Sequence, residues 1–436
     1  MPEVTLARVL ALALPVMASG VLQAMFRPVD QYFVQDLGAP AQGALGVATM
    51  VTILVFSAWL VLSAGTAAYV GRHTGAGRWE ARRDVVEQAL GAGVVLAVVL
   101  AVLGWVGSRP LVVALGLEGV AVDHAVAYLQ VLFFAGMALT VAPTVDATFH
   151  AMGDTRLPLY LQAGAVALNL ALTATLVPVL GVAGAAVGTV IAQTLATGVG
   201  LVVLQRRLDL RWSRCVPGPT TPGVLRVGIP MGLASAMFGI VYFLMMGTTL
   251  KALGQEVYAG LGLGFGVLES VAWPTYSGLS VAASSLVSRL LGAGDIAGAH
   301  RAVRLCLAPA ALFGVGMAAL YGLGGSTIMH AFAEDPASFR EGLRYATILA
   351  VVQPLVALEA VSEGVLAGSG DTTKLFVVNV PLNLLRVPLS WYLAVTLGFG
   401  ANGLWWAINA STVLKVTAKL GLVVHGGWAH RTLPDG

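Results

Sequence analysis

The chain has 436 residues, of which 58% are hydrophobic and only 10% charged, and its mean hydropathy is +0.85. A soluble domain carries roughly a quarter charged residues, so a fold solvated by water on every side is excluded. The formal net charge of +3 is too small to indicate a nucleic-acid partner, and the two cysteines, Cys215 and Cys306, lie in separate polar stretches and read as free thiols.

A helix needs about 20 apolar residues to cross a bilayer. Twelve such segments follow one another, centred near residues 22, 56, 96, 135, 168, 193, 237, 271, 314, 354, 385 and 412, which predicts an all-α integral membrane protein. The first has a signal-peptide-like run from Val9 to Val16 followed by Ala18-Ser19-Gly20, but its only early positive charge is Arg8 and many similar segments follow, so it reads as a span. Connections are short except for "QRRLDLRWSRCVPGPTTPG", Gln205 to Gly223, which is rich in Arg, Pro and Gly and falls at mid-chain. The expected domains are an N-terminal six-helix bundle over 1–205, a cytoplasmic linker over 206–223, a C-terminal six-helix bundle over 224–424 and a cytoplasmic tail over 425–436. Arginine and lysine collect on one side, from Arg8, Arg72 and Arg78 through Arg206 and Arg207 to Lys374 and Arg431. The other side has Arg109, Lys251, Arg340 and Arg344. The rich side is expected to be cytoplasmic, with both termini inside.

The two halves repeat. "YVGRHTGAGRWEARRDVVEQAL" (69–90) aligns without a gap on "LVSRLLGAGDIAGAHRAVRLCL" (286–307), an offset of 217, and "MGDTRLPLYL" (152–161) falls on "SGDTTKLFVV" (369–378) at the same offset. Six spans per half is an even number, so the repeat is parallel, about an axis along the membrane normal, and a substrate cavity is expected between two bundles. That arrangement points to a transporter.

Charge inside hydrocarbon costs at least ~2.5–3.5 kcal/mol per residue and needs a reason. The stretch "MFRPVDQYF" (25–33) places Asp30 beside Pro28, which frees a backbone carbonyl at the preceding turn. A broken backbone next to a carboxylate offers an oxygen-rich place for a proton or small cation; the structural alternative is an i,i+3 ion pair with Arg27. Glu269 lies in the eighth segment, with Trp273 and Tyr276 as aromatic candidates for a cavity wall. Glu359 and Glu363 are one turn apart and face one way, so they can share a proton or pair with Arg386, itself expected as a structural partner for a buried acid. Asp146 holds in the first half the position of Glu363 in the second and suggests a structural or gating role. There is no GxxxxGK[ST] loop for ATP, the seven histidines lack metal-ligand spacing, and no Ser/His/Asp grouping suggests a nucleophile.

"LALPVMASGVLQAMFRPVDQYFVQDLG", with its proline, Gln23 and acidic residue before "LG", resembles the first span of the multidrug and toxic compound extrusion (MATE) family. The "LLGAGD" and "GDTR"/"GDTT" loops and "LESVAWPTYSGLS" are similar to its DinF-like prokaryotic branch, within a superfamily that also holds flippases for lipid-linked oligosaccharides. The resemblance covers essentially the whole chain. It implies two six-helix bundles exporting organic cations in exchange for H+ or Na+, with Asp30 as the ion site of the first bundle, Glu269 as the eighth-span glutamate and Asn169 as the fifth-span asparagine. The sequence departs from the pattern at Thr173, where an acid is expected one turn after that asparagine, and at Arg27, a cation one turn from Asp30.

The expected function is therefore secondary active efflux of organic, cationic and lipophilic compounds by antiport with H+, favoured over Na+ because Asp30 lacks a second nearby carboxylate in its own bundle. Asp30 and Glu269 are the expected ion-coupling residues, either able to hold Na+ instead. Gln23, Arg27, Pro28, Asn169, Thr173, Trp273, Tyr276, Glu359, Glu363 and Arg386 are the expected cavity and support. No cofactor or resident metal is expected; the partners are small-molecule organic substrates and the lipid bilayer, and the chain is expected to work as a monomer in the plasma (inner) membrane of a prokaryote. The competing reading is a lipid or lipid-linked oligosaccharide flippase, kept open by Arg27 and Arg386. A membrane-embedded enzyme is disfavoured because the acids spread over at least four spans, and a channel because nothing marks a continuous charged ring.

Overall fold

The computed structural model of the chain describes residues 4–134, 136–333 and 335–433. The last three residues of the expected tail and the first three of the first bundle lie outside the described residues. Among the described residues there is no strand, as hydrocarbon demands: with no water to bond the backbone, each span must satisfy its own N–H and C=O groups.

Twelve helical spans follow the predicted segments. They are α1 (Leu6–Leu37), α2 (Ala39–Gly75), α3 (Trp79–Ala114), α4 (Val120–Phe134 and Met137–Met152), α5 (Arg156–Leu180) and α6 (Val182–Leu208) in the first half. In the second half they are α7 (Thr221–Leu253), α8 (Gln255–Leu263, Gly264–Leu268 and Glu269–Gly292), α9 (Ile296–Gly322), α10 (Pro336–Ala350 and Gln353–Ser369), α11 (Thr372–Leu384, Arg386–Trp391 and Tyr392–Thr396) and α12 (Gly400–His425). Among the described residues eight are long and apolar enough to cross a membrane as single helices, and the two-piece spans α4 and α10 raise the number to ten, α10 bending by 61° at its break. The other two, α8 and α11, are interrupted by π-turns at Gly264–Leu268 and Tyr392–Thr396 and carry Glu256, Glu269, Lys374 and Arg386. At 1.5 Å per residue the 36 residues of α3 extend about 54 Å, well beyond the ~30 Å of hydrocarbon.

The chain packs as two compact units: one is 18–232 with Leu433, the other 4–17 with 233–432. The cuts thus fall inside α1 and α7, not at the linker. The reason is backbone contact within each unit. A Cβ on Gly278 of α8 would come within 2.8 Å of Ala13 O, and one on Gly228 of α7 within 1.6 Å of Val61 O on α2. The 206–223 stretch is likewise docked, not slack: Arg211 N donates to Glu87 Oε1 at 2.6 Å and Thr220 N to Gln88 Oε1 at 2.8 Å, both acceptors on α3.

Small residues set the closest helix approach in the second unit. Gly364 and Gly368, four apart on α10, lie against α8 so closely that a Cβ would sit 2.1 Å from Ser280 O and 2.5 Å from Ser284 O, the approach that small-xxx-small spacing permits. The aspartates of the two "GDT" loops are both ion-paired, though to partners at different places in their halves. Asp154 accepts from Arg207 Nη1 at 2.6 Å and from the backbone N–H of Arg156 and Leu157, and Asp371, 217 residues on, pairs with Lys374 at 2.6 Å.

Gly364→Val is expected to force α8 and α10 apart and to cost about 1–3 kcal/mol, read as a lowered melting temperature in detergent, whereas Gly316→Ala, with nothing within 4 Å of the new Cβ, is expected to be neutral. At Asp154, partial burial alone would raise the carboxyl pKa, but the bonds from Arg207 and the two amides outweigh it and hold it below the ordinary 3.8. A depressed folded-state value stabilises above the unfolded value and is lost as pH falls through the folded one. The melting-temperature advantage of wild type over Asp154→Asn is therefore expected in full above about pH 4 and to close as the pH falls further.

Candidate ion-coupling site

Pro28 supplies no N–H for the carbonyl one turn back, and the helical hydrogen bonding of α1 is interrupted at Met25, between Leu6–Ala24 and Phe26–Val34. The second piece buries Phe26, Val29, Asp30 and Val34. It turns Arg27, Pro28 and Gln31 outward, and Gln23 is exposed as well. Asp30 is 3% exposed, and the elements around it provide hydroxyls. Tyr128 of α4 donates to Asp30 Oδ2 at 3.1 Å, Thr189 of α6 to the same oxygen at 3.4 Å, and Thr173 of α5 to Oδ1 at 3.5 Å. Asn169 braces this shell, its Nδ2 donating to Thr173 Oγ1 at 3.2 Å and Thr189 Oγ1 at 3.0 Å, while its own Oδ1 is buried without a partner.

The Arg27–Asp30 ion pair weighed from the sequence is not formed; Arg27 makes no ion pair among the described residues. Thr173, standing where an acid was expected, reaches Asp30 through its hydroxyl. Tyr128 and Thr189 were missed: each is one polar residue in an apolar span, and only the helix packing reveals its direction. Chemically the cluster is one carboxylate with hydroxyl and amide oxygens within reach and no tethered cation. Such a set can exchange a proton, or surround a small hard cation with oxygens of the kind it prefers.

Glu269 belongs to the other unit. It follows directly on the π-turn Gly264–Leu268, a local irregularity frequent at functional sites, and accepts from Tyr345 Oη at 3.2 Å. Tyr345 stacks edge-on against Trp405 at 5.0 Å. Tyr276 and Trp273 do not share a wall: Tyr276 is buried and donates to Gln353 Oε1 at 2.7 Å, whereas Trp273 is 60% exposed.

Glu359 and Glu363 do not share a proton with one another, nor does either pair with Arg386. Lys419 of α12 bridges both, at 2.6 Å to Glu359 and 2.5 Å to Glu363, and Lys415 adds a contact to Glu359 at 2.9 Å. Asn379 donates to Glu363 at 2.9 Å. Arg386 instead faces hydroxyls, Ser411 at 2.8 Å, Thr412 at 2.9 Å and Tyr242 at 3.4 Å, with the rings of Phe238 and Tyr242 each 5.8 Å away. The two lysines were invisible as partners because α12 supplies them about 60 residues downstream.

The MatE family profile matches twice, over residues 15–175 and 230–392, in keeping with the internal repeat. The probable multidrug resistance protein NorM of Thermotoga maritima is 25% identical over 97% of this chain and 93% of its own length. Among solved structures, an outward-facing multidrug resistance MATE family transporter of the MOP superfamily superposes with TM-score 0.91 at 18% identity, covering 98% of this chain and 96% of that one. A MOP superfamily transporter from Pyrococcus furiosus, for which a reversed polarity of the binding pocket suggests a different function, does so with TM-score 0.89 at 18% identity over 98% and 96%. With most of both halves matched, the chain belongs to the MatE family of multi-pass membrane transporters and is not an enzyme.

Proposed function

We propose that the protein is a secondary active antiporter that exports small lipophilic organic cations from the cytoplasm of a prokaryote in exchange for protons, with both termini cytoplasmic. The observation that carries this reading is the Asp30 carboxylate, buried in the first unit among three donated hydroxyls with no side-chain cation paired to it. Multidrug resistance is the role named for the Thermotoga maritima relative. Proton binding at Asp30 removes the charge that its hydroxyl donors serve, so the donors must rotate and the bonding of α1 to α4, α5 and α6 changes. Protonation and substrate then influence one another only through their differential affinities for the two arrangements. The proton is favoured over sodium because Thr173 leaves a single carboxylate in the cluster. Glu269, with Tyr345, is the second carboxylate in reserve, placed in the other unit.

A second reading, transport of lipid-linked or other anionic substrates, draws on the exposed and unpaired Arg27 and on the Pyrococcus furiosus neighbour. The deciding measurement is ethidium uptake into proteoliposomes under an imposed pH gradient, with and without sodium. Wild type is expected to respond to the pH gradient and Asp30→Asn to lose more than about tenfold of that rate. Drive by a sodium gradient alone would overturn the proton assignment, and failure of either gradient to move any organic cation would favour the anionic reading.

A further inference from the structure

The first unit contains a small polar cavity away from Asp30. Its volume is about 20 Å³, and Asp146 of α4, Gln162 of α5, and Gln193, Ala196 and Thr197 of α6 line it. That is room for one water-sized occupant. Gln162 is 9% exposed, and its Nε2 is buried with no hydrogen-bond partner. Asp146 makes no ion pair among the described residues, and α2, α3, α5 and α6 are the spans packed against α4. His150, one turn along α4, is the nearest titratable group on its own helix, and Asp154 follows in the loop.

The second unit shows what a filled version of this place contains. Asp146 and Gln162 correspond, at the offset of 217, to Glu363 and Asn379, which are hydrogen-bonded at 2.9 Å. For the last helix of each half the register is fixed by a close glycine contact: Gly184 lies against the backbone of Leu176, and Gly403 against Leu393. Leu176 and Leu393 differ by 217 and the glycines by 219, since the second loop is two residues longer. At that register Lys415 corresponds to Ala196 and Lys419 to Gly200. In the second unit, then, Lys419 bridges Glu363 and Glu359, and Lys415 reaches Glu359 and Asn383; in the first, glycine and alanine stand at those two positions, and the carboxylate and amide line a cavity with Ala196. A carboxylate that lacks its lysine attracts a mobile replacement of similar size and charge.

We propose that Asp146, Gln162, Gln193 and Thr197 form a site for a small monovalent cation, hydronium or Na+, separate from the Asp30 cluster. The Asp146 carboxylate, Gln193 and Thr197 supply oxygens to either ion, and Gln162 joins them when its amide presents Oε1 in place of the unpartnered Nε2. Thr189, Gln193 and Thr197 stand at i, i+4 and i+8 on α6, so a polar stripe of about 6 Å per step joins the site to the hydroxyl shell of Asp30.

The test uses the purified full-length protein carrying Asp30→Asn and Glu269→Gln, so that its outcome is independent of the transport reading. Melting temperature is followed as sodium replaces N-methylglucamine, and separately as the pH is lowered without sodium. A bound cation is expected to raise it by at least about 2 °C, and the rise is expected to vanish when Asp146→Asn is added. Ala196→Lys, which brings an ammonium from the cavity wall to Asp146, is expected to abolish the response as well; it keeps the test open should Asp146→Asn not fold. A response to sodium identifies Na+, and one to acid alone identifies a proton, on Asp146 itself or as hydronium beside it. No response in the parent variant, or an undiminished one with Asp146→Asn or Ala196→Lys, overturns the proposal.

Discussion

Hydrocarbon gives a charged side chain no water to fall back on, and most of the polar structure of this protein follows from how each buried charge is satisfied from within. Asp30 is satisfied by three neutral donors. Glu359 and Glu363 are satisfied by lysines. Arg386 is satisfied by hydroxyls, with aromatic rings over its plane. These solutions have different consequences. A carboxylate fixed to a lysine already has its cation and resists change, because removing either partner leaves an uncompensated buried charge. A carboxylate held only by hydroxyls keeps its affinity for an ion that comes and goes. The same logic separates a structural acid from an exchangeable one without reference to where either lies along the chain.

The halves show how duplication lets these solutions diverge. The second half carries lysines on its last helix and three π-turns, at Met246–Leu250, Gly264–Leu268 and Tyr392–Thr396; among the described residues the first half has neither. Its last helix runs from Val182 to Leu208 with small residues where the lysines would be. One unit thus carries its positive charge covalently, while the other presents an acid without one.

Ten of the twelve predicted segment centres lie within an observed helix, 385 falls at the break in α11 and 135 lies outside the described residues, because twenty apolar residues leave the backbone few options. The prominence of Asp30 was also legible, since an acid beside a proline in an apolar run violates the local pattern. Its neighbours were not. Tyr128 and Thr189 are unremarkable in sequence, and their relevance comes from helix rotation, which periodicity cannot fix when a span is apolar all round. Likewise Lys415 and Lys419 register in the composition only as rare lysines. The pairing of Glu359 with Arg386 was reasonable by charge; geometry chose closer cations on α12. The stretch read as a linker from its Arg, Pro and Gly content is held down by Glu87 and Gln88, and no linear signal announces them.

The contact of Ala13 and Met17 with Gly278 has a bearing on the order in which the protein assembles. The start of α1 leaves the ribosome well ahead of its packing partner, which is encoded some 260 residues later. At 5–20 residues per second, it must wait on the order of 10–50 s for that surface to exist. During that interval the helix bearing Asp30 has one end without its final neighbours. Its completion waits for the second half, so a nascent chain halted before α8 would hold the acid but not the packing that anchors its helix.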